Sequence, residues 1–106
     1  MAFAADGNGS NLYYPVRPGQ MVTFSGWGSR VSGDGVSRLV IEATDSAKLN
    51  PTWITSIPDI NNPSWTLTSG SYTVPAGKAF VRFYMEIKNA TRSSAVRFDD
   101  SALQIR

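Results

Sequence analysis

The chain has 106 residues and a formal net charge of +2, a length that fits one domain around one core and a charge too small for the basic footprint of a nucleic-acid binder. Hydrophobic residues at 42% and charged residues at 17% describe a globular chain, not a disordered one. The absence of histidine and cysteine excludes disulfides, Ser-His and Cys-His nucleophiles and the usual zinc sites. No run approaches the roughly 20 apolar residues of a membrane span, so no membrane insertion is expected.

The opening MAFAADGNGS lacks the charged start and long apolar stretch of a signal peptide. Export is therefore expected to depend on a larger assembly, another route or a removed segment. Residues 1–12 read as a flexible lead-in, with Gly7, Asn8 and Gly9 as turn formers, and residues 13–106 as a single domain. The first turn signal is Arg17-Pro18-Gly19-Gln20. In the following QMVTFSGWG, Val22 and Phe24 alternate with Thr23, Ser25 and Trp27, as on a half-buried strand. SRVSGDGVS then reads as a loop around Asp34. VSRLVIEAT at 36–44 is a clear strand, with Leu39, Ile41 and Ala43 on one face and Arg38, Val40 and Glu42 on the other.

Prolines 51, 58 and 63 exclude a long helix from the middle of the chain. Short strands are expected there around Trp53–Ser56 and Trp65–Ser69. Tyr72–Val74 and a Pro75-Ala76-Gly77 turn follow, and then a strand over Ala79–Lys88. In that strand Val81, Phe83, Met85 and Ile87 face the core, while Arg82, Tyr84 and Glu86 face away. Asn89–Ser94 is loop-like, and SAVRFDDSALQIR ends the chain as one or two strands. About six or more short strands, with turns at roughly ten-residue spacing and no convincing helix, predict an all-β, antiparallel two-sheet β-sandwich.

Several landmarks occur in a familiar order: PGQ before VTFSGWG, a central tryptophan before SGSYTVPAG, then FVRFYMEI and a closing AVRFDDSALQI. The order resembles the jelly-roll carbohydrate-binding modules attached to xylanases and β-glucanases, over roughly residues 15–106. Related jelly rolls occur in phage tail fibres and other virion proteins. The resemblance implies a jelly roll, an extracellular or virion setting, and a polysaccharide or cell-surface glycan as partner. These modules usually begin with a further strand that is absent or much reduced here. An unpaired sheet edge would follow, which a homo-oligomer or a parent chain would cover.

In the resembled modules the exposed face of one sheet binds glycan. Carried onto this chain, that face would hold Trp27, Tyr84, Arg82, Glu86, Arg38 and Glu42, provided their strands are neighbours. Trp53, on a loop or short strand, is either a further binding platform or a packed side chain. Trp65 sits where the family has a strand tryptophan and is expected to pack. Of Tyr13 and Tyr14, one must point outward if the segment is extended. The charged row has a second reading, cross-strand Arg–Glu pairing with aromatics over it, which stabilises any exposed sheet.

Asp99 and Asp100 resemble a terminal acidic pair that in the family often helps bind a structural calcium ion, the one cofactor in view. Two adjacent aspartates at a strand end are also common turn formers. No enzyme is expected. The one surviving scheme, a glycosidase pair of Glu42 and Glu86, needs one carboxyl with a raised pKa, and neighbouring Arg38 and Arg82 would keep both ionised. The competing functional class is a structural or oligomerisation domain of a fibre, spike or other multi-chain assembly.

Overall fold

The computed structural model describes residues 2–4, 12–88, 90, 91 and 94–106; the turn formers Gly7, Asn8 and Gly9, and Asn89 of the expected loop, lie outside them. There is no helix among the described residues. Eight strands follow in chain order: β1 (Ala2–Ala4), β2 (Tyr14–Pro15), β3 (Met21–Ser32), β4 (Val36–Thr44), β5 (Thr52–Thr55), β6 (Thr66–Thr73), β7 (Phe80–Lys88) and β8 (Ala95–Ile105). They form two antiparallel sheets. One runs β1-β7-β4-β5, with β2 also on β7, and the other β6-β3-β8. This is the expected all-β sandwich.

The two sheets meet through their alternating apolar rows. Val22 and Phe24 of β3 face Leu39, Ile41 and Ala43 of β4 and Val81 and Phe83 of β7, all nearly inaccessible to solvent. The Phe24 and Phe83 rings meet edge to face with centroids 6.0 Å apart. Two turns feed these strands in register. In each, a glycine with positive φ occupies the third position, Gly19 in the turn that starts at Arg17 and Gly77 in the turn that starts at Pro75.

Residues 56–60 close one side of the sandwich by touching both sheets. The Ser56 amide donates to the Leu39 carbonyl at 2.9 Å, and Ser56 Oγ accepts from the Leu39 amide at 2.9 Å and the Thr68 hydroxyl at 2.7 Å. Ile57 bridges to Ser69 of β6, while Ile60 bridges back to Ser37 of β4. Ile60 is fully buried beside Gly28, where a Cβ would lie 2.9 Å from Ile60 Cγ1 and 2.8 Å from the Phe98 ring.

Several sequence expectations change. The expected loop over 29–37 shrinks to Gly33–Gly35, because β3 runs on to Ser32. The amides of Asp34 and Gly35 donate to Ser94 Oγ, and Asp34 accepts from Thr91, so this short connection is held from the far side of the chain. Trp65–Ser69 and Tyr72–Val74 merge into the single strand β6. The lead-in expected over residues 1–12 contains a strand: Ala2, Phe3 and Ala4 pair with Glu86, Met85 and Tyr84. With β2 at Val81 and Phe80, β1 lies along one edge of β7.

Candidate functional site

The outer face of the five-stranded sheet gathers most of the predicted row. Register places Arg38 opposite Glu86, Val40 opposite Tyr84 and Glu42 opposite Arg82. The two outer rungs thus each set an arginine against a glutamate, because Arg38 and Glu42 on β4 run in the opposite sense to Arg82 and Glu86 on β7. Arg38 Nη2 lies 3.0 Å from Glu86 Oε1. Arg82 grips Glu42 as a fork, Nε donating to Oε2 at 2.8 Å and Nη2 to Oε1 at 3.0 Å, the geometry that gives a charge-assisted pair its directionality.

Trp53 joins this rung from β5, which pairs it with Glu42. Its indole N–H donates to Glu42 Oε1 at 2.9 Å, yet the residue remains 57% exposed. Glu42, only 6% exposed, therefore holds both a guanidinium and an indole. Tyr84 lies beneath this layer at 7% exposure. Burial pushes its hydroxyl pKa above the ordinary tyrosine value, and the nearby Glu42 carboxylate adds to the rise while Arg82 opposes it.

Three residues that sequence reasoning left open or missed complete the face. The Arg82 guanidinium lies 5.3 Å from the Tyr13 ring centroid and 5.8 Å from that of Tyr84. Tyr13 meets Phe80 edge to face at 6.2 Å. Lys48 caps both rings, its ammonium 5.1 Å from Tyr13 and 5.2 Å from Phe80. Tyr13 is thus the outward member of the tyrosine pair, and Tyr14 packs against the core. Phe80 was legible from strand parity with Arg82. Lys48 was not, because it sits in a turn with φ of 63°.

Trp27 does not join the row. It points outward as expected, but β3 belongs to the three-stranded sheet, so Trp27 lies on the opposite outer face beside Leu67 and Asp99. Trp65 is about half exposed ahead of β6 rather than sealing the core; Ile60 and Phe98 fill that end instead. Tyr84 is a buried support, not an open ring. Asp99 and Asp100 form an irregularity in β8, where the pairing with β3 slips between Ser25 and Trp27. Asp100 has φ of 53° and donates its amide to Asp99 Oδ1 at 2.9 Å. Among the described residues no cluster of three or more histidine, cysteine or acidic side chains could hold a metal ion.

Glu42 and Glu86 sit four residues apart on adjacent strands, roughly 13 Å along the sheet, and each is held in its own rung by an arginine. A glycosidase pair needs carboxyls about 5–9.5 Å apart, one of them protonated. The arrangement instead offers an exposed indole, a second aromatic cluster and oriented polar groups on one face.

The two-sheet sandwich has known structural counterparts. The sequence matches no protein-family model and no curated protein. Solved structures are similar in fold. The CBM22-1 xylan-binding domain of Xyn10C from Paenibacillus barcinonensis aligns over 88% of this chain and 62% of its own, with a TM-score of 0.63 and 17% identity. A family 16 carbohydrate-binding module aligns over 84% of this chain and 63% of its own, with a TM-score of 0.58 and 15% identity. The CBM22-1 and GH10 modules of Clostridium thermocellum xylanase 10B, in complex with xylohexaose, align over 86% of this chain and 18% of their own, with a TM-score of 0.56 and 17% identity. The protein therefore has the sandwich fold of carbohydrate-binding modules. It spans about three fifths of the first two chains.

Proposed function

We propose that the protein is a non-catalytic glycan-recognition module that binds a polysaccharide across the outer face of its five-stranded sheet. The observation that carries this reading is Trp53, an exposed indole locked in one orientation by Glu42. An aromatic ring fixed in this way presents an apolar plane to the C–H face of a sugar without first losing side-chain freedom on binding. Tyr13 supplies a second ring on the same face, and Arg38 and Glu86 supply hydrogen-bonding groups to sugar hydroxyls.

Stacking one ring face removes about 60–80 Å² of apolar area, roughly 1.5–2 kcal/mol. Two rings and a few net hydrogen bonds of about 1 kcal/mol each give a Kd of about mM to μM. The charges on the face serve chiefly to hold the rings. Both carboxylates are already paired, which supports binding without catalysis, and a polysaccharide ligand implies an extracellular setting.

A glycan-array screen of the protein and its Trp53→Ala variant tests the reading. Binding to a polysaccharide by the parent protein, lost in the variant at unchanged Tm, supports it. Binding that survives the substitution, or no binding to any glycan, overturns it.

A further inference from the structure

We infer that the outer face of the three-stranded sheet is a second glycan-binding surface, one that takes a neutral, hydroxyl-rich chain across β8, β3 and β6 beside Trp27. The face carries a cleft of about 810 Å³, within the range of about 300–1,000 Å³ typical of small-ligand sites. Its lining follows from strand register. Thr23 lies between Ser71 and Gln104, and one rung on Ser25 lies between Ser69 and Ala102. The bridge from Ile57 to Ser69 adds a wall at one side, where Ile57 is 73% exposed. One rung further along β3, beyond the cleft itself, Trp27 stands between Leu67 and Asp99 and is 42% exposed.

The chemistry of this lining selects its ligand. Hydroxyl and amide side chains both donate and accept, and they match the hydroxyls of a sugar chain. The side chains of Thr23, Ser25, Ser69, Ser71 and Gln104 make no hydrogen bond to any described residue, so their polar groups are available to a ligand. Trp27 and Leu67 offer an apolar step for the face of a pyranose ring. Asp99 is the one charge on these three rungs. Arg97 and Arg106 occupy the flanking rungs, so the face has no strong charge of either sign, and the uncharged hydroxyl and amide lining makes neutral glycans the complementary class. Ile54 and Thr55, which follow Trp53, reach the wall of this cleft, but the Trp53 indole itself is turned to Glu42 on the five-stranded sheet, so the two surfaces are distinct and would let one module engage two glycan chains.

The test is a ¹H–¹⁵N titration of the intact protein with xylohexaose, cellohexaose and mannohexaose in turn, with a hexameric oligogalacturonate as the acidic control. The expected result is that at least one neutral hexaose shifts the Trp27 indole N–H and the amides of Ser25, Ser69 and Ser71, and the acidic control does not. Trp27→Ala then weakens binding at this face by about tenfold or more and leaves the Trp53 indole titration unchanged. Gln104→Leu, at an exposed side chain, weakens it by a smaller factor. Shifts confined to the Trp53 face overturn this inference and leave the first reading standing; shifts confined to the Trp27 face do the reverse. No shift at Trp27 with any neutral hexaose at ~10 mM overturns it. So does light scattering that shows an oligomer for the parent protein and a monomer for Trp27→Ala, which would make the face a contact between copies.

Discussion

The two outer faces of the sandwich solve the same problem with different chemistry. On the five-stranded sheet, every charge of the Arg38–Glu86 and Glu42–Arg82 rungs is paired across strands, and an indole and two further rings rest on the pairs. On the three-stranded sheet, the matching rungs carry Thr23, Ser25, Ser69, Ser71 and Gln104, with hydroxyls that bond nothing described. The first face is built from mutually dependent side chains, so it is rigid and sensitive to substitution. The second is built from independent ones, so its residues contribute little to the fold. The comparison teaches that ion pairs on an open sheet can act as scaffolding for aromatic rings.

The sharpest way to break the comparison is Glu42→Ala. The change strips two hydrogen bonds from partly buried Arg82 and one from Trp53, and it is expected to cost about 2–4 kcal/mol, read as a lower midpoint in urea unfolding. A smaller loss is expected for Gly70→Ala on the other sheet. There a Cβ would sit 2.5 Å from the tip of the Phe24 ring, and overpacking of this kind costs about 1–3 kcal/mol.

Alkaline pH should act on the five-stranded face through Tyr84. Its hydroxyl holds its proton more tightly in the folded protein than the ordinary tyrosine value of 10.0. The associated stability is fully present below that value and is lost as pH rises through it toward the folded pKa. Tyr84→Phe should flatten this alkaline decline in a series of melting curves. Tyr72, also raised by burial, contributes a decline of the same sign that remains. The smallest effect is expected for Ser71→Ala, within about 0.5 kcal/mol by the same unfolding measurement. A larger loss would mean that the hydroxyls of the three-stranded face are structural.

Much of this was legible in the sequence. Strict alternation in 36–44 and 80–88 revealed both the core rows and the outward Arg, Tyr and Glu. Alternation reports which side of a sheet a residue faces, but it is silent on which sheet the strand joins. That is why Trp27 was grouped with Tyr84. β3 and β4 are joined by Gly33–Gly35, short enough for a hairpin, yet the chain crosses there between sheets and β4 pairs with β7 instead. Ser69-Gly70-Ser71 looked like a break between strands for a related reason. The glycine stands mid-strand because the Phe24 ring occupies the space a side chain would need, and that partner is remote in sequence.

The fork between Glu42 and Arg82, and the indole bond it supports, were equally beyond a linear reading, since the three residues come from three strands brought together only by the sheet. Their parity and type were visible; their mutual support was not. The residues that the sequence left open, Tyr13 and Trp53, are the two most suited to meet a ligand on that face.

The account is tested most directly by crystallising the protein with the strongest ligand from the glycan array and locating the bound sugar. It predicts electron density for a pyranose ring lying flat on the Trp53 indole, with Glu42 and Arg82 still clasped beneath it. A sugar bound only elsewhere, with that indole left bare, would contradict it.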